Sequence, residues 1–159
     1  MDSLTNTFAP PRLLLILVGA LLFASGCDDG RPLRVHVTGT VLYNGNPVEN
    51  ATVTFLSRSG RPAIGQTRAD GTFNLGTFDV ADGAVLGEHV VTVSKWLKVD
   101  SEKIPGATSI RKIGNSLDPK EVVILANFLP DRYGAYQRTE LRAVVTREGP
   151  NDFTFELSD

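Results

Sequence analysis

Few side chains in this sequence are of types that do chemistry, and their positions say more than their number. Cys27 is the only cysteine, and it ends an apolar run at residues 13–26 (LLLILVGALLFASG). A lone thiol builds neither an internal disulfide nor a Cys-rich zinc site, so attachment or a free thiol is what remains to it. The two histidines, His36 and His89, would serve metal binding or proton transfer only if they met. His36 alternates away from Val35 and Val37, toward solvent. His89 shares a face with Val91 and Val93, so it is expected in a core or at an edge. Opposite placements argue against a joint site. Asp28, Asp29, Asp79 and Asp82 are the candidate calcium ligands. Calcium needs about six to eight converging oxygens, and Asp79-x-x-Asp82-Gly83 reads more simply as a solvated turn. Trp96, Tyr133 and Tyr136 are the rings able to form a ligand platform; packing at the ends of a sandwich is the plainer role. Lys95, Lys98, Lys103, Arg111 and Lys112 surround one long connection. They favour an anionic partner such as lipid headgroups or an acidic polymer, unless they merely solvate a loop. The sequence holds no G-x-S-x-G elbow and no H-E-x-x-H helix. No catalytic residue, metal ligand or cofactor is therefore assigned.

The elements that must carry these residues begin with a leader. Its apolar run is short of the ~20 residues that span a bilayer as a helix and suits the apolar region of a secretory signal peptide. Arg12 precedes it, Asp2 offsets that charge, and Pro10 and Pro11 interrupt the region. Ala24-Ser25-Gly26-Cys27 resembles the lipobox of bacterial lipoproteins, with Ala24 in place of the usual Leu. The resemblance implies cleavage between Gly26 and Cys27, acylation of Cys27, and a chain held to membrane lipid. It makes residues 1–26 a signal peptide and residues 27–33 a lipidated cysteine with a short tether. A soluble secreted protein with a free thiol and a small uncleaved anchor are the competing readings. Asp28 resembles the inner-membrane retention signal of enterobacteria, and the leaflet stays open.

Beyond the tether the chain has the composition of one globular domain. Its 159 residues are 42% hydrophobic and 21% charged, with 16 basic against 18 acidic side chains. That balance argues against a nucleic-acid partner, which calls for a basic excess. From Arg34 onward apolar residues recur with period two. Arg34 to Tyr43 sets Val35, Val37, Gly39, Val41 and Tyr43 on one face, and Asn44-Gly45 supplies a positive-φ turn. Ala51, Val53 and Phe55 face inward on a second strand, and a third spans about Ala63 to Arg68. Asp70-Gly71 predicts a hairpin leading to Phe73 and Leu75; Val80 to Gly87 reads as a loop and His89 to Trp96 as one strand. Lys98 to Lys120 reads as a long, partly mobile connection. Glu121 to Asn127 returns to β structure, and Leu141 to Arg147 with Phe153 to Leu157 predicts a last hairpin. The expected fold is all-β, a single antiparallel β-sandwich of about seven strands over residues 34–159.

The order of these segments carries a second resemblance. Val37-x-Gly39-x-Val41, Tyr43-Asn44-Gly45-Asn46-Pro47-Val48 and Ala51-x-Val53-x-Phe55 resemble the opening of a carboxypeptidase regulatory-like domain. Thr67-x-Ala69-Asp70-Gly71-x-Phe73-x-Leu75 is similar to its T-x-x-D-G-x-F hairpin. Gly87-Glu88-His89-Val90-Val91-Thr92-Val93 is similar to its G-x-Y-x-V-x-V strand, with His89 where Tyr is common. Leu129-Pro130-x-x-Tyr133 and the segment Asn151 to Leu157 resemble short lipoproteins of planctomycete-type bacteria. The resemblance implies a prealbumin-like (transthyretin-like) sandwich and carries over no catalytic set. The chain also lacks the Tyr-Arg-Gly-Ser ending of the 5-hydroxyisourate hydrolases that share this general fold. The expectation is a non-enzymatic, lipid-anchored cell-envelope protein, facing the periplasm or outer surface, that meets an envelope protein or glycan. A carbohydrate or small-ligand binding module using Trp96 is the second reading, and an envelope hydrolase using His89 the third.

Overall fold

The computed structural model describes residues 30–58, 60–100, 105–114 and 122–159. Contacts divide the chain into two units, Met1–Arg31 and Pro32–Asp159. Of the first only Gly30 and Arg31 are described, so Gly26, Cys27, Asp28 and Asp29 lie outside the described residues, as does Lys103. The described part of the second unit is all-β, apart from one helical turn.

Two four-stranded sheets enclose the core. The front sheet contains β4 (Thr52–Ser57), β5 (Ala63–Gln66), β8 (Gly87–Ser94) and β12 (Arg142–Val145), in the order β12-β8-β4-β5. The back sheet is built around β2 (Thr38–Tyr43). Along one side it pairs β13 (Asp152–Leu157), and along the other β3 (Asn46–Pro47) and β6 (Thr72–Asn74). Alternation decides which residues turn inward. Val53, Phe55, Val91 and Val93 come from the front wall, and Val37, Val41, Phe73, Phe155 and Leu157 from the back; all are buried in one cluster. Phe55 bridges the walls, its ring centroid 6.4, 5.6 and 5.9 Å from those of Phe73, Phe153 and Phe155. Burying a side chain of this size contributes ~1.5–3 kcal/mol, so this cluster dominates the stability of the fold. Gly39 lies beneath it at a close approach. A Cβ there would fall 2.2 Å from the carbonyl oxygen of Phe153 and 2.6 Å from the Phe73 ring.

The first hairpin forms as its residues predict. Asn44 and Gly45 both take positive φ, 48° and 77°, and close β2 onto β3. Other connections differ from expectation. Arg34 to Tyr43 is not one strand: β1 (Arg34–Val35) pairs with β7 (Ala84–Val85), inside the expected loop, and β2 starts afresh in the back sheet. Asp70-Gly71 makes its turn, with Gly71 at φ 79° and Thr72 N–H donating to Asp70 Oδ1 at 3.0 Å. The expected hairpin closes there, its arms bridged antiparallel at Ile64 and Gly76, while β5 also pairs in the front sheet and β6 in the back, so the hairpin links the two walls.

The expected last hairpin is also overturned. β12 pairs antiparallel with β8, while β13 pairs parallel with β2, the one parallel pairing among the described strands. Ala143 and Val145 therefore enter the core from one wall and Phe155 and Leu157 from the other. The connection is an arch held by Asn151. Its Oδ1 accepts from Thr146 N–H at 2.9 Å and its Nδ2 donates to Thr146 O at 2.8 Å.

A third sheet stands apart from both walls in its pairing. β8 ends at Ser94, and after Lys95 the chain continues as β9 (Trp96–Val99) in a new sheet with β10 (Ser109–Gly114) and β11 (Val122–Asn127), ordered β10-β11-β9. The connection expected to be irregular thus contains a strand, Ser109–Gly114, paired with β11 along its whole length.

Candidate functional site

The base of the third sheet is knotted by Asn127. This residue ends β11 and is buried. Its Oδ1 accepts from the N–H groups of Lys95, at 3.2 Å, and Leu129, at 3.3 Å. Its Nδ2 donates to Asp131 Oδ1 at 3.0 Å, and Ser109 Oγ donates to the same oxygen at 2.9 Å. Asp131 opens α1 (Asp131–Gly134), the helical turn after Pro130. The Asn127 amide thus ties the residue before β9 and the chain after β11 to α1, and the Asp131 carboxylate adds the start of β10 through Ser109. A buried amide with both ends bonded is a rigid support, because releasing it would strand several polar groups.

Above this knot lies a groove of about 330 Å³, lined by Trp96, Arg111, Asn127, Asp131 and Arg138, among others. Trp96 and Asn127 stand opposite each other in the ladder, which puts their side chains on one face. The Arg111 guanidinium sits 4.7 Å from the Trp96 ring centroid, a cation–π contact. The groove therefore offers one aromatic surface and two exposed guanidinium-bearing side chains, Arg111 and Arg138, with Asp131 occupied by Ser109 and Asn127. Such a surface suits an anionic ligand with an apolar face.

The three rings singled out in the sequence do not share that groove. Trp96 lines it. Tyr133 is buried in the sandwich core, its hydroxyl donating to Ser158 O at 3.2 Å and accepting from Arg132 Nη2 at 3.0 Å. Burial pushes the Tyr133 phenol up, but the bonds from Ser158 and Arg132 outweigh it and hold it below its ordinary value. Tyr136 is half exposed in the turn beyond α1. Asn127, Asp131 and Arg138 escaped sequence reasoning. Their only local signal is a polar residue ending an apolar strand, four residues before an aspartate.

Of the other chemical candidates, His89 and Asp82 serve the architecture. His89 is buried against Phe55, with ring centroids 5.6 Å apart. Its Nε2 lies 2.9 Å from Val85 O; a carbonyl only accepts, so Nε2 carries the proton, and Nδ1 has no partner among the described residues. His36 is exposed between β1 and β2. Asp82 accepts from Thr77 N–H at 2.6 Å and Phe78 N–H at 3.2 Å and pairs with Arg34 Nε at 2.9 Å, closing its own loop. Burial raises its carboxyl, yet the backbone bonds and the Arg34 charge prevail and keep it below the usual carboxylate range. A larger groove of about 480 Å³ lies between Ile64 and Ala81. There Arg68 is tied to Thr72 at 3.3 Å, and the Phe78 ring is already covered by the Arg34 and Arg61 guanidinium groups, 4.9 and 5.4 Å from its centroid.

Fold and groove together define an all-β, sandwich-like protein with a polar, aromatic-floored cleft on an appended sheet. No protein-family model matches this chain, and no solved structure matches it.

Proposed function

We propose that this chain is a non-enzymatic, lipid-anchored cell-envelope protein, held to membrane lipid through acylated Cys27, whose β-sandwich is a structural or interaction module. On this reading residues 1–26 are the signal peptide, residues 27–33 the lipidated cysteine and tether, and residues 34–159 a carboxypeptidase regulatory-like, prealbumin-like domain. The observation that carries the non-enzymatic part is where the reactive groups go. His89, Asp82 and Tyr133 each bond to the backbone of their own domain. The apolar run ending at Cys27 supports the anchor. Several acyl chains on one cysteine make such an anchor stable, where a single chain binds only marginally. Metabolic labelling with a palmitate analogue tests it. Label should enter the wild type and be absent from Cys27→Ala; an unlabelled wild type would refute the anchor.

A second reading, a carbohydrate or small-ligand binding module, is favoured by the Arg111–Trp96 stack in an open groove. Glycan-array binding that disappears in Trp96→Ala is its test.

A further inference from the structure

The third sheet breaks the rule that one face of a strand is buried. β10 is exposed along nearly its whole length, and β9 and β11 are mostly half-exposed or exposed outside the Ala126–Asn127 base. Large apolar side chains are open to water on both faces. Leu97, Ile110 and Val122 are 37%, 38% and 51% exposed on one, and Ile113 is 45% exposed on the other. Exposed apolar side chains leave the sheet open to a partner, and of these four Ile113 shares the face of Trp96.

The face that carries Trp96 has a definite composition. The ladder puts Trp96, Lys98, Arg111, Ile113, Val123 and Leu125 on it together. Two of these residues, Lys98 and Arg111, are basic, Lys112 lies on the opposite face, and the three strands contain no carboxylate. Arg138 adds a further cation across the groove. A second copy laid face to face would bring like charges together, whereas anionic headgroups complement them. Tryptophan favours the headgroup level of a bilayer, and long basic side chains reach from apolar surface to phosphate. The Arg111 guanidinium held over the Trp96 ring has that arrangement, a cation above an apolar plate.

We propose that the Trp96 face of the three-stranded sheet lies on an anionic lipid surface, a membrane contact separate from Cys27 and independent of its acylation. Such a contact would fix how the domain faces the bilayer, which attachment through a single cysteine does not.

Trp96 is the only tryptophan, so its emission reports this face without interference. The experiment mixes the full chain with vesicles of phosphatidylcholine alone or with added phosphatidylglycerol, each carrying brominated acyl chains. The expected result is a blue shift and quenching of Trp96 on the phosphatidylglycerol vesicles alone, reversed by high salt and retained in Cys27→Ala. The double variant Lys98→Gln/Arg111→Gln should lower partitioning by about 25-fold, roughly fivefold per charge. A chain that floats with the vesicles while Trp96 stays unquenched would overturn the contact and leave the anchor standing. Equal quenching on both vesicle types would overturn it too, as would a chain that neither floats nor is quenched. A Trp96 shift that grows with protein concentration in the absence of lipid would replace the bilayer with a second copy. A shift produced by a soluble acidic oligosaccharide, with no quenching on vesicles, would assign the face to a glycan.

Discussion

The sandwich and the three-stranded sheet are built from the same kinds of residue and use them in opposite ways. In the sandwich, alternation is strict. Val53, Phe55, Val91 and Val93 are buried, and the residues between them are half-exposed or exposed. In the third sheet, Ile110, Arg111, Lys112 and Ile113 follow one another and all are exposed. Polar chemistry divides the same way. Around the core, His89, Asp82 and Tyr133 bond to backbone; on the third sheet, Arg111 rests on an open ring. Burial holds the first region together. The second is held by its ladder and by the Asn127 knot at its base, which leaves its surface available for contact.

Substitutions can test this contrast, and the largest effect belongs at the centre of the sandwich. Phe55→Ala should cost about 3–5 kcal/mol in urea unfolding, because its ring spans both walls. A loss below ~1 kcal/mol would mean that the walls do not share a core. Gly39→Ala should cost ~1–3 kcal/mol, since the new methyl must displace Phe153 backbone or the Phe73 ring. An unchanged melting temperature would place Gly39 elsewhere. Asn127→Ala removes partners from Lys95, Leu129 and Asp131 and should cost about 1–3 kcal/mol. Hydrogen exchange should then speed up in Ser109–Gly114 while Val91 and Val93 stay protected; uniform acceleration would make the sheet part of the sandwich.

Asp82 gives a smaller, pH-dependent effect. Its folded carboxyl lies below its unfolded value, near the ordinary aspartate value of about 3.9, so its contribution is present above that pH. The contribution is lost as pH falls through the lower folded value. Unfolding measured from neutral pH downward should therefore show a weaker acid dependence in Asp82→Asn than in the wild type; parallel profiles would contradict the assigned bonds. The smallest effect belongs to the third sheet's surface. Ile113→Ser should change stability by less than ~0.5 kcal/mol, as an exposed position does. A larger loss in a denaturation curve would show that this face is packed.

Much of the sandwich was legible in the sequence because its cues are local. Period-two alternation marked Val37, Val41, Val53, Phe55, Phe73, Leu75, Val91 and Val93 as inward, and all are buried. Asn44-Gly45 announced its turn through residues that tolerate positive φ. β10 was invisible for the converse reason: with neither face buried, Ser-Ile-Arg-Lys-Ile-Gly shows no alternation. Of the candidate site, Trp96 was legible by type and Arg111 by charge. Asn127, Asp131 and Arg138 were not, because their meeting depends on a ladder that joins Ser109 to Asn127.

The sequence by itself determined which residues extend, which of their side chains share a face, and where the chain turns tightly. These follow from backbone sterics and the pleat, which act over a few residues. Only the tertiary structure decided which strands pair. It sent β5 and β6 to different walls, made β13 run parallel to β2 instead of returning on β12, and carried the chain after Ser94 into a third sheet. Alternation prescribes an inward face without saying which wall supplies it, and either wall would bury Phe155 or Val145. That choice is settled by fitting distant side chains around Phe55.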